Sequence, residues 1–183
     1  MGSLNHLNGL SSDLLFDTLY RKYFRRIYNY AYMRLLNREA AEDAAQEVFL
    51  AALTHIESFD LSRSDGAAWL SKIAANIVTD LQKRARNYRE ISVGDVPETA
   101  FEECFDDEGT LKNPVNRRLQ RILKKLSEKE RELLALRYEM ELTHEEIAQS
   151  TQENAAAVRQ RFHRLLEKCR RIDEALSKGV ESE

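Results

Sequence analysis

A chain of 183 residues has room for one domain or two small ones. With 43% hydrophobic and 32% charged residues but only 6 Gly and 2 Pro, it reads as a well-charged helical protein, and a turn-rich all-β fold is excluded. The net charge of −3 conceals an uneven distribution: residues 1–89 hold 12 basic and 10 acidic groups, residues 90–113 hold 1 and 8, and residues 114–183 hold 15 and 13, so local charge governs what the chain can bind.

The opening residues, MGSLNHLNGLSS, have neither the basic start nor the apolar core of a signal peptide, and 1–12 read as a disordered tail. A first helix is predicted after Ser11-Ser12-Asp13, where Leu15, Leu19, Tyr23, Ile27 and Tyr30 recur every three or four positions. A break near Asn37 precedes a second helix over about 38–57. At 100° per residue, Ala41, Ala45, Val48, Ala52 and Ile56 share its inner face, leaving Asp43, Gln46, Glu47 and Leu50 outside. Leu50 in that polar stripe is either an ordinary exposed leucine or an apolar anchor for a partner.

Residues 58–66 form a polar loop containing Arg63. A third helix follows from Ala67 to about Arg86, with Trp69, Ile73, Ile77 and Leu81 as its expected core stripe and Lys72 and Asn76 outside. Asp80 and Arg84 have the spacing of an i,i+4 pair, and the helix ends in a basic cluster including Lys83, Arg84 and Arg86. Such a cluster either complements the helix dipole or grips phosphate.

Acidic residues, Gly94, Pro97 and Gly109 mark 90–114 as a flexible linker, so the expected fold is all-α: two small helical domains, 13–89 and 115–175, with a tail at 176–183. In the second domain, Val115–Leu126 reads as a basic amphipathic helix. Ser127 with Glu130, and Thr143 with Glu146, have capping-box spacing; Leu133, Leu136 and Tyr138 are candidates for burial, and Asn154 for an N-cap. Val158, Phe162, Leu165, Cys169 and Ile172 step by 4, 3, 4 and 3 along the last helix, a core stripe in which Cys169 acts as a small hydrophobe. Opposite and beside it lie Arg159, Gln160, Arg161, His163 and Arg164. Two short helices with a polar break, the second basic, outline a helix-turn-helix that lays its second helix in the major groove.

Cys104 and Cys169 make neither a disulfide framework nor a zinc site, and the four histidines have no ligand spacing. No nucleophile–base pair, metal set or Gly-rich phosphate loop is present, so a non-enzymatic protein without cofactor or metal is expected. No apolar run approaches the roughly 18 residues of a membrane span, and a cytoplasmic location is the default.

These pieces line up with one family. EDAAQEVFLAAL (42–53), WLSKIAANIVTDLQKRAR (69–86), LSEKERELLALRYEMELTHEEIA (126–148) and VRQRFHRLLEK (158–168) occur in the order found in the extracytoplasmic-function sigma factors, the small two-domain members of the sigma-70 class, and the chain resembles that family over roughly 13–89 and 115–172. The resemblance implies an initiation factor that joins the RNA polymerase core and selects promoter DNA. It makes Asp43, Gln46, Glu47 and Leu50 the core-docking face and favours the anchor reading of Leu50. It assigns Arg63, Lys72, Asn76, Lys83, Arg84 and Arg86 to the minus-ten element and its melted single strand. Arg159, Gln160 and His163 would meet base edges of the double-stranded minus-thirty-five element, and Arg161 and Arg164 its phosphates. An anti-sigma factor is the implied regulator.

The chain departs from the family in two places. Gly66 stands where an aromatic is usual, and Thr151-Gln152-Glu153 replaces a turn commonly containing Gly, with Ala156-Ala157 opening the last helix. A non-Gly residue is then required to take φ > 0, or the turn is rebuilt, and Glu153 must face solvent or find a partner. Two other readings are a helix-turn-helix regulator acting without polymerase and a divergent sigma-like interaction protein that no longer reads DNA.

Overall fold

The computed structural model describes residues 12–59, 66–91 and 114–180. Over these it is built from seven α-helices and one 3-10 turn, with no strand among the described residues. The first unit contains α1 (Ser12–Leu35), α2 (Arg38–Thr54), the 3-10 turn Ile56–Ser58 and α3 (Ala67–Ile91). The second contains α4 (Pro114–Lys124), α5 (Glu128–Tyr138), α6 (His144–Thr151) and α7 (Ala155–Val180).

Helix α1 buries Leu19, Tyr23, Ile27 and Tyr30, as their spacing predicts. It stops because Leu36 turns left-handed (φ 53°), its N–H still bonded to the Tyr32 carbonyl at 2.8 Å. Asn37 then opens α2, its side-chain oxygen accepting the Ala40 N–H at 2.8 Å. Alanines at 41, 44, 45 and 52 are buried on α2, and their small size lets it approach α1 and α3 closely.

On α3 the core stripe is displaced by one position from the expected one. Leu70, Ala74 and Val78 are fully buried, whereas Trp69, Ile73, Ile77 and Leu81 are half-buried on its flank. Both sets have helical spacing, so periodicity alone does not choose between them; the approach direction of α1 and α2 does. Asp80 pairs with Lys83 (3.5 Å), not with Arg84.

In the second unit, Pro114 occupies the first position of α4, where its missing N–H costs nothing. Both predicted capping boxes form: the Ser127 N–H donates to Glu130 at 2.8 Å and the Thr143 N–H to Glu146 at 2.7 Å, and each hydroxyl accepts in return. The Asn154 side chain accepts the Ala156 N–H at 2.8 Å at the start of α7. Val158, Phe162 and Leu165 are buried, while Cys169 and Ile172 are half-buried. Burial pushes the Cys169 thiol up, with Glu130 acting in the same direction. Tyr138, expected to help bury α5, is 58% exposed, its ring centroid 5.9 Å from that of Phe162.

Helix α2 ends at Thr54, short of the expected 57, α3 continues to Ile91, past the expected helix end near Arg86, and α7 runs to Val180. Residues 1–11 of the expected tail, residues 92–113 of the expected linker, and 181–183 lie outside the described residues.

The sequence reading places no contact between the two units, yet α5 lies along α1. Tyr32 accepts a hydrogen bond from Gln120 at 2.9 Å, and Asn29 donates one to Glu139 at 2.9 Å. Arg34, 4% exposed, donates to the Tyr30 hydroxyl and to Glu132, each at 3.0 Å, and to Gln82 of α3 at 2.8 Å. Burial pushes the Tyr30 phenol up to about 12 despite Arg34 beside it, so it is neutral at physiological pH.

Candidate functional site

Three surfaces collect the residues singled out from the sequence. The first is the outer face of α2. Its inner face packs against α1 and α3, so a 3.6-residue period turns Asp43, Gln46, Glu47 and Leu50 outward, and all four are exposed. Leu50 is 66% exposed, the largest value among the exposed large hydrophobic side chains described. Two more apolar side chains lie nearby: Leu53, one turn on, and Tyr20 of α1, whose ring packs 4.9 Å from that of Phe49. Leu53 carried a signal, its i+3 spacing from Leu50. Tyr20 carried none, because only the pairing of α1 with α2 brings it there.

The second surface is α3. Lys72, Asn76, Lys83, Arg84 and Arg86 are exposed, whereas Arg63 lies outside the described residues. At 100° per residue, Lys72, Asn76, Lys83 and Arg86 fall within an arc of about 80°, and Arg84 lies about 100° aside from Lys83. Cationic groups at such spacing track a phosphate backbone. Lys83 faces Asp80, and Arg86 meets Glu128 of α5 at 3.3 Å.

Phe59, ahead of α3, stacks on Trp69 in its first turn, with ring centroids 4.6 Å apart. Gly66 has φ +92°, and a Cβ there would sit 2.6 Å from Leu19 Cδ2 and 3.3 Å from Tyr23. The positive φ and the close approach of Leu19 and Tyr23 favour glycine where the backbone enters α3.

The third surface is the helix-turn-helix, α6 and α7. The turn is made without glycine: Gln152 adopts the left-handed conformation (φ 57°, ψ 37°), and the Glu153 N–H bonds back to the Ala148 carbonyl at 2.9 Å. Arg159, Gln160, Arg161, His163 and Arg164 are all exposed on α7, opposite and beside the buried Val158, Phe162 and Leu165. Glu153 finds its partner in Arg161, through a double hydrogen bond of 2.7 and 3.0 Å. Arg159 is held by Glu145 of α6 at 3.0 Å, and His163 lies 3.6 Å from Glu167. Glu145 was missed from sequence; only the crossing of α6 over α7 places it beside Arg159.

Among the described residues no group of three or more His, Cys, Asp or Glu side chains is placed to hold a metal ion, and no helix is long and apolar enough to cross a membrane.

Comparison with known proteins matches both units. The family model for Sigma-70 region 2 matches residues 19–88, and that for Sigma-70 region 4 matches residues 116–169. The extracytoplasmic-function (ECF) RNA polymerase sigma factor BldN of Streptomyces coelicolor is 31% identical over 144 residues, covering 79% of this chain and 54% of its own length, so the chain spans about half of that protein. The ECF RNA polymerase sigma factor SigW of Bacillus subtilis is 31% identical over 78% of this chain and 80% of its own. The RNA polymerase sigma factor YlaC of the same organism is 30% identical over 81% and 86%.

Proposed function

The chain belongs to the extracytoplasmic-function group of sigma-70-class RNA polymerase sigma factors, and from that premise we infer which of its surfaces meets polymerase and which meets DNA. A sigma factor is not an enzyme; it brings the polymerase core to a promoter, and the chemistry belongs to the polymerase. Asp43, Gln46, Glu47 and Leu50 on α2 form the docking face for the core. The observation that carries this assignment is Leu50, 66% exposed between acidic and amide side chains on a helix whose other face is fully packed.

Lys72, Asn76, Lys83, Arg84 and Arg86 of α3, together with Arg63, hold the minus-ten element and its melted strand. Their charge retains the backbone while bases leave the stack. On α7, Arg159, Gln160 and His163 face base edges in the minus-thirty-five major groove, and Arg161 and Arg164 face phosphates. Glu153 and Glu145 neutralise two of these arginines in the free chain, so DNA must displace carboxylates to engage them. Linking two weak DNA contacts in one chain raises their joint affinity. Activity is placed in the cytoplasm, where promoters and polymerase are.

Run-off transcription with purified core polymerase tests the reading: a start-site-specific product appears only with this chain and its promoter. Replacing Arg159 and His163 by Ala reduces dependence on the minus-thirty-five sequence while core binding survives. Core binding without any promoter-dependent product favours a divergent interaction protein, and no core binding by the folded chain favours a regulator acting alone.

A further inference from the structure

The cations of α7 are not equally placed. At 100° per residue, Arg159 and Arg161 lie about 160° apart on opposite flanks of the helix, with Gln160, His163 and Arg164 between them. That middle face stands opposite the buried Val158, Phe162 and Leu165. Each flanking arginine is bonded to a carboxylate from outside α7. Arg159 Nη2 donates to Glu145, in the first turn of α6, at 3.0 Å. Both Nη atoms of Arg161 donate to Glu153, in the turn, at 2.7 and 3.0 Å. On the middle face, Glu167 stands 3.6 Å from His163. Arg159, Arg161 and Arg164 are thus matched by Glu145, Glu153 and Glu167, and with His163 neutral this face carries no formal net charge.

A duplex bound without regard to sequence is held almost entirely through its phosphates, each cation contributing by releasing a condensed counterion. A guanidinium already matched by a carboxylate adds little to that attraction. For a phosphate to take Arg161 it must displace Glu153. The exchange replaces one charge-assisted pair by another and leaves a carboxylate beside the phosphate. A base edge differs, because guanine presents two neutral acceptors, O6 and N7. Arg159 bonds Glu145 through one nitrogen and keeps its remaining N–H donors for such an edge. Glu145 and guanine can then be held together, and the carboxylate fixes the direction of the fork.

We propose that Glu145 and Glu153 are specificity-determining residues of the α7 reader: they cancel the sequence-blind attraction of the two flanking arginines, so that base edges decide where α7 stays. The inference rests on the assignment of α7 to the minus-thirty-five element. Both carboxylates act through an arginine and are positioning residues. Together they form a filter, under which the chain passes over random duplex and is retained where its base contacts are met.

The test separates sequence-blind from sequence-dependent binding, using the full-length chain with Glu145→Gln and Glu153→Gln together. Glutamine keeps the size and an acceptor oxygen of glutamate and removes its charge. Fluorescence anisotropy with a mixed-sequence duplex of roughly 30 base pairs, from about 50 to about 200 mM salt, reads the first. The double variant is expected to bind at least ~10-fold more tightly at low salt. It is also expected to lose about 12-fold more of its affinity across that range, the increment of two additional phosphate contacts. Glu174→Gln removes one charge about 20 Å further along α7, beyond the screening length, and is expected to follow the parent. Transcription with purified core from a promoter pool randomised at the minus-thirty-five positions reads the second. There the double variant is expected to lose about 10-fold of the parent's preference for the favoured base at the position Arg159 meets. Misfolding lowers affinity for every duplex, so tighter binding is a readout that a purely structural role does not produce. Duplex binding that is unchanged or weaker, an equal gain by Glu174→Gln, or an undiminished preference in the pool overturns the filter. A parent chain that directs no transcription from any member of the pool overturns the minus-thirty-five reading instead, and the duplex titration still decides whether the two carboxylates suppress phosphate binding.

Discussion

Replacing Leu50 by Asp tests the docking face most directly, because exposure separates its effects on folding and on binding. Leu50 is 66% exposed in the free chain, so the fold gains little from it. Losing leucine's helix propensity costs roughly 0.5 kcal/mol, within the range of ordinary surface substitutions. Full burial of a leucine is worth about 1.5–3 kcal/mol, and the two-thirds still exposed leave about 1–2 kcal/mol to be gained against polymerase. Leu50→Ala therefore weakens core binding by about 5- to 30-fold at 1.4 kcal/mol per tenfold. Leu50→Asp also buries an unpartnered carboxylate beside Asp43 and Glu47, adding about 2 kcal/mol or more, for a total loss of about 100- to 1,000-fold. Fluorescence titration of labelled chain with purified core measures both variants, and circular dichroism melts confirm that each is folded. Leu50→Asp binding core within threefold of the parent would refute the docking face.

Gly66→Ala is expected to destabilise the first unit by about 2–4 kcal/mol, from left-handed backbone strain and the clash with Leu19. The one tryptophan, Trp69, reports it as a lower urea midpoint, and an unchanged midpoint counts against the conformation. Gln152→Gly removes a strained left-handed residue and raises the stability of the second unit by about 0.5–1 kcal/mol, seen as a higher melting temperature; a lower one would argue for another turn. Glu130 supplies a pH dependence. Burial raises its carboxyl, but Lys168 at 2.7 Å and the Ser127 bonds outweigh this and hold it below its ordinary 4.5. A depressed carboxylate stabilises the fold above its unfolded value and loses that contribution as pH falls through its folded value. The second unit therefore weakens below about pH 4.5. Glu130→Gln, which keeps the capping box, costs about 1 kcal/mol at pH 7 and flattens that acid limb in denaturant titrations. An acid limb as steep as the parent's would assign the dependence to other carboxylates.

Much of the molecule can be read from sequence because it is set locally. The outward position of Asp43, Gln46, Glu47 and Leu50 needs only a helical period and a core on the other side. Both capping boxes lie within four residues, and the buried face of α7 follows from Val158, Phe162 and Leu165. The need for a left-handed non-glycine residue at the turn is likewise local, and Gln152 meets it.

Tertiary structure decided where helices of one period meet helices of another. On α3, two interleaved stripes have equal spacing, and packing against α1 and α2 chose Leu70, Ala74 and Val78 over the flank led by Trp69. Tyr20 comes beside Phe49 only because α1 crosses α2 there, and Glu145 reaches Arg159 only because α6 crosses α7. The contact between the units is the extreme case. Arg34 and Glu132 are 98 residues apart, and Arg26 and Glu141 are 115 apart. Periodicity tells a charged side chain which way to face along its own helix. It carries no record of which opposite charge, on which distant helix, will stand in front of it.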